Sequence, residues 1–84
     1  MIRSYIGIID KDKNSDYGVM FPDFLGCVSA GKTIEELKMM AKEALKFHID
    51  GMIEDGEEIP ESSNFNDIIT KNNNSVFFVV KVKI

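Results

Sequence analysis

The feature that most constrains this chain is one strong helix signal set among segments patterned as strands. Thr33-Ile34-Glu35-Glu36 has the form of a capping box: the Thr33 hydroxyl accepts from the Glu36 backbone N–H, and the Glu36 side chain reaches back. Ile34, Leu37, Ala41, Ala44, Leu45, His48 and Met52 follow at helical spacing and make one apolar stripe. Glu35 with Lys38, and Glu43 with Lys46, pair on the wet side. Gly51 weakens the last turns and Gly56 is a natural stop, so the spacing predicts a helix from Thr33 to about Glu54. A helix with one apolar stripe must lay it on another layer, and the remaining chain supplies a sheet.

Ile2 to Ile9 alternates as a strand, with Ile2, Ile6 and Ile8 on one side and Arg3, Tyr5, Gly7 and Ile9 on the other. Tyr17 to Phe21 is a second strand, ended by Pro22. Asp23-Phe24-Leu25-Gly26 is a turn, and Cys27 to Ala30 is a short third strand that stops at Gly31. After the helix, Glu57 to Glu61 is extended and acidic. Ser62 or Ser63 caps a short helix over Asn64 to Thr70. Val76 to Ile84 is the strongest strand: Val76, Phe78, Val80, Val82 and Ile84 share one face, and Phe77 and Val79 lie on the other.

The order is therefore β-β-β-α-(α)-β, an α+β domain occupying residues 1–84 as a single unit. Short loops make the first three strands an antiparallel meander. The helix is expected to act as a crossover that returns the last strand parallel to the first, giving the spatial order 3-2-1-4. One long helix then covers one face. Tyr5, Ile9, Phe77 and Val79 lie opposite the more apolar sets, and an uncovered patch of that kind predicts a homodimer or higher homo-oligomer through Tyr5, Phe77 and Val79. The competing expectation is that loop 55–63 folds over the patch.

Composition narrows the function. The 84 residues carry 14 acids against 10 bases, a net charge of −4, so the domain lacks the basic face that phosphate backbones require. No direct nucleic-acid binding is expected, and a basic protein partner fits better. The longest apolar run, Val76 to Val80, is too short to span a membrane. The single cysteine, Cys27, has no internal disulfide partner and reads as a small buried residue of an intracellular, cytoplasmic protein.

Few constellations point to catalysis. His48, the one histidine, sits in the apolar stripe without a second ligand, so no metal site forms around it. Asp10, Asp12, Asn14 and Asp16 have calcium-loop spacing, but Ser15 and Phe21 stand where such a loop needs Gly and Glu. No glycine-rich phosphate loop occurs, and Lys81 with Lys83 read as strand-edge protection. No cofactor is implied. Glu54, Asp55, Glu57, Glu58 and Glu61 cluster at the helix exit, where negative charge opposes the macrodipole. That local cost makes the cluster a candidate surface for a basic partner.

Tyr17 to Cys27, read as YGVMFPDFLGC, with Ser29-Ala30-Gly31-Lys32-Thr33, Glu35-Glu36-Leu37, Ala41 to Leu45 and Asp55-Gly56-Glu57-Glu58-Ile59-Pro60, resembles the N-terminal domain of HicB antitoxins. The resemblance runs from Tyr5 to about Ser63, with a family-like final strand. It implies an incomplete ribonuclease H-like sheet. It also implies a type II toxin-antitoxin role: binding and neutralising a small basic RNA-cleaving HicA-type toxin. The family usually carries a C-terminal DNA-binding segment, and no C-terminal DNA-binding domain is read in this chain. The fold analogy does not carry nuclease chemistry, because the strands lack the carboxylates that two metal ions need. The chain is not expected to be an enzyme.

On this reading Asp23, Phe24, Glu54, Asp55, Glu57, Glu58 and Glu61 are the candidate toxin contacts. The alternative is a stand-alone self-assembling structural or ligand-binding module without a toxin partner.

Overall fold

A computed structural model describes residues 1–11 and 16–84. Strand β1 (Ile2–Lys11) is followed by β2 (Tyr17–Met20), β3 (Val28–Gly31), the long helix α1 (Ile34–Glu54), the short helix α2 (Phe65–Lys71) and β4 (Val76–Lys83). The sheet order is β3-β2-β1-β4, as the patterning predicts.

The direction of β4 differs from expectation. It pairs antiparallel with β1, from Ile9 opposite Val76 to Ile2 opposite Lys83. The route between the helices explains this. After α1 the chain runs extended beside the start of β1: the Arg3 guanidinium donates to the Ile59 carbonyl at 3.3 Å, the Tyr5 hydroxyl donates to the Pro60 carbonyl, and the Ser62 hydroxyl donates to the Ser4 carbonyl. Helix α2 then crosses the sheet face opposite α1, so β4 starts at the far end of β1 and runs back along it.

Each face therefore carries a helix of the chain itself. Under α1, Tyr5, Val19, Phe21, Phe24, Val80 and Val82 pack against Leu37, Ala41, Leu45 and Ile49. On the opposite face Ile68 of α2 meets Ile6 and Ile8, with Phe77 packed alongside. The expected bare face is thus half closed. The second helix lies on the side that was expected to be empty, close to its expected span. Its N-cap is Asn64, whose side chain accepts from the Asn66 N–H at 2.8 Å, and not Ser62 or Ser63.

Helix α1 begins and ends where its local chemistry dictates. Thr33 is the N-cap, its hydroxyl accepting from the Glu36 N–H at 3.1 Å, and Glu36 Oε1 accepts from the Lys32 N–H at 3.4 Å. At the exit Gly56 takes φ of 74°, the Gly56 N–H donates to the Ile53 carbonyl, and the Glu57 N–H donates to the Met52 carbonyl. That paired closure needs a left-handed residue, hence glycine. Gly31 has a different task. A Cβ there would stand 2.5 Å from the Leu37 backbone nitrogen, so only glycine lets β3 approach the first turn of α1.

Candidate functional site

The turn after β2 does not offer its two candidate contacts to a partner. Phe24 is 3% exposed, with its ring edge-on to Tyr5 at 4.7 Å and to His48 at 5.7 Å. It is a core residue. Asp23 is spent internally: its Oδ2 accepts from the Ser63 N–H at 3.0 Å and its Oδ1 accepts from the Ser63 hydroxyl. The residue the turn presents is Leu25, 94% exposed.

The three residues expected to share an oligomer interface are also separated. Tyr5 lies opposite Val80 on the α1 face and is 1% exposed, leaving no surface for another chain. Phe77 and Val79 lie on the α2 face. Phe77 is half-buried and edge-on to Phe65, and only Val79, at 56%, is open. The alternation along β1 and β4 shows why: Tyr5 shares its face with the large apolar set of β4, not with Phe77 and Val79.

The acidic exit does form a surface. Glu54, Asp55, Glu57, Glu58 and Glu61 are all exposed along the end of α1 and the extended segment. No basic residue occupies the last helical turn to neutralise them. His48 is half-buried against Phe24, and Cys27 is buried and free, its thiol pushed up by burial. Among the described residues no group of three His, Cys, Asp or Glu side chains could hold a metal ion. The calcium-like spacing falls largely on residues 12–15, outside the described residues.

A further surface was not singled out by the sequence reading. Glu36, Met40, Glu43, Phe47, Asp50 and Glu54 recur at spacings of four and three along one flank of α1, and all are exposed. Phe47 is 83% exposed. Met40, Ala44 and Phe47 line a groove of about 510 Å³ between α1 and Ser29 of the edge strand β3, with Glu43, Lys46 and Asp50 around it. The spacing of this flank is present in the sequence, beneath the stronger periodicity of the buried stripe. The opposite flank has the other sign: Lys38 and Lys42 stand with Lys81 around the edge strand β4.

The model of the HicB-like antitoxin of bacterial toxin-antitoxin system matches residues 5–84. This chain belongs to the HicB-like antitoxin family. A protein of Haemophilus phage HP1 (strain HP1c1), described as an uncharacterized 14.9 kDa protein in the rep-hol intergenic region, is 44% identical over 71 residues, 84% of this chain and 53% of that protein. The antitoxin HicB of Burkholderia pseudomallei has a TM-score of 0.86 and 30% identity, over 96% of this chain and 64% of that one. A chain of a HicA3 and HicB3 toxin-antitoxin complex has a TM-score of 0.76 and 26% identity, over 100% of both chains. The HicB-like chain thus spans about half the phage relative (53%) and 64% of the Burkholderia antitoxin. The family is one of antitoxins. No helix among the described residues is long and apolar enough to cross a membrane.

Proposed function

We propose that this HicB-like chain is the antitoxin half of a type II pair, acting in the cytoplasm to neutralise a small basic RNA-cleaving toxin of the HicA type. The observation that carries the reading is the likeness of the whole chain to one chain of a HicA3 and HicB3 complex, inside a family match over residues 5–84. The physics is consistent with it. A domain of net charge −4 with an uncompensated acidic helix exit attracts a basic partner, and such rim charges act mainly on the association rate. Neutralisation is by occlusion, since the chain needs no chemistry of its own. The domain itself makes no contact with nucleic acid on this reading.

Homo-oligomerisation belongs to the same proposal. Its support is the strip of the α2 face left open at Met20, Val28 and Val79. Sedimentation of the purified chain reads it.

The test of the antitoxin role is co-expression with the small reading frame adjacent to this gene. Growth restored by this chain, together with co-purification of the two products, supports the role. A neighbour that stays toxic and does not co-purify contradicts it.

A further inference from the structure

The antitoxin reading leaves open where the toxin sits. Two open sheet edges and one half-covered face compete for it. The edge at β4 carries Lys38, Lys42 and Lys81. That is the wrong sign for a basic partner, and lysines along an edge discourage strand addition. The open strip of the α2 face around Met20 and Val28 is largely apolar, and Asp10 is the single charged side chain among its described lining residues, against the two acids, Glu43 and Asp50, that line the groove beside α1.

The groove between α1 and β3 combines three properties. It holds a large aromatic side chain that the fold does not use: Phe47 is 83% exposed on a helix whose buried stripe is complete without it. An acidic flank surrounds it, with Glu43 and Asp50 one turn to either side of Phe47 and Glu54 continuing the line to the acidic exit. Among the described residues that line the groove, Lys46 is the one cation. It also lies beside the outermost strand, whose outer edge pairs with no other strand of the sheet. Exposed aromatics in an apolar cleft are the usual energetic centre of an interface, and charges at its rim select the partner's sign.

We propose that the toxin docks in this groove, its basic surface meeting Glu43, Asp50 and Glu54 and one of its apolar side chains seating against Met40 and Phe47. This rests on the antitoxin reading. It assigns the exit acids a steering role and the groove the anchoring role, because Glu54 belongs to both. A second copy of this chain is a poorer occupant, since a two-fold pairing of this flank sets acid against acid.

The experiment uses the product of the adjacent small reading frame, released from the co-purified complex by unfolding and refolded alone. Binding of the intact chain and its variants is followed in real time. Phe47→Ala is expected to weaken binding by ~10-fold or more, mainly through faster dissociation. Glu43→Lys with Asp50→Lys is expected to slow association by ~10-fold and flatten its salt dependence. Lys42→Ala with Lys81→Ala, on the opposite flank, is expected to stay within ~2-fold of the parent. Circular dichroism establishes that each variant is folded, and the charge-reversal pair carries the test even if Phe47→Ala is not. Parent-like binding by both the Phe47 and the Glu43/Asp50 variants overturns the docking site and leaves the antitoxin reading standing. A parent chain that binds nothing overturns both.

Discussion

Asp23 clasps Ser63 with both carboxylate oxygens, one taking the backbone N–H at 3.0 Å and the other the hydroxyl. The two residues lie 40 positions apart, and the clasp fixes the chain one residue before Asn64, the N-cap of α2. Asp23→Ala is expected to lower unfolding free energy by about 1 kcal/mol, the scale of a charge-assisted bond in an exposed setting. Amide exchange in residues 62–68 should quicken, with α1 unchanged. Toxin binding should survive, because Asp23 works inside the fold.

Leu45 and Phe47 stand two residues apart on α1 and should behave oppositely. Leu45 is fully buried in the core, so Leu45→Ala should destabilise by about 2–5 kcal/mol. Phe47→Ala should change stability by less than about 0.5 kcal/mol, since its ring is in water. Urea unfolding of the two variants reads the contrast directly.

Gly31→Ala tests the contact between β3 and α1. The added methyl would press on Leu37 backbone atoms at 2.5 and 2.8 Å, which cannot swing aside as a side chain can. A loss of roughly 3 kcal/mol is expected, the scale of overpacking against fixed structure. Gly7→Ala should be milder. Its nearest neighbours are side-chain atoms of Val19 and Phe78, at 2.8 and 3.1 Å. Thermal melts of the two variants rank them.

Cys27 ties stability to alkaline pH. Burial raises its thiol above the ordinary 9.0, so the folded chain holds that proton longer than the unfolded chain. Well below pH 9.0 both states are protonated and this group adds no slope. As pH rises past that value the unfolded state ionises first, and stability falls until the folded thiol ionises too. Cys27→Ala should flatten that alkaline decline. At neutral pH iodoacetamide should label Cys27 slowly in the folded chain and readily in urea.

What could be read from the sequence was what short-range chemistry decides. Thr33 caps α1 through its own neighbours, and Gly56 closes it by adopting a left-handed conformation. Neither depends on distant contacts. The order of β1, β2 and β3 followed from their short loops, and β4 lies beside β1 as expected although the parallel crossover that placed it there does not occur. The direction of β4 did not, because it depends on the route of the chain from Ile59 to Ser63. Tyr5 with Pro60 and Asp23 with Ser63 hold that route across the fold, and no periodicity reports such pairs. Phe24 was misplaced for the same reason: a turn residue is buried only because Tyr5 and His48 come to meet it. Of the candidate contacts, the exit acids from Glu54 to Glu61 are on the surface. Met40 and Phe47 were present in the spacing of α1, hidden behind the stronger buried stripe.

The most direct test of the account is amide hydrogen exchange of the chain alone and with the refolded toxin, followed by peptide mass spectrometry. Slowed exchange concentrated in β3 and in residues 40–54 of α1, with β4 and α2 unaffected, is the predicted result. Protection confined to β4 or α2, or none anywhere, would contradict it.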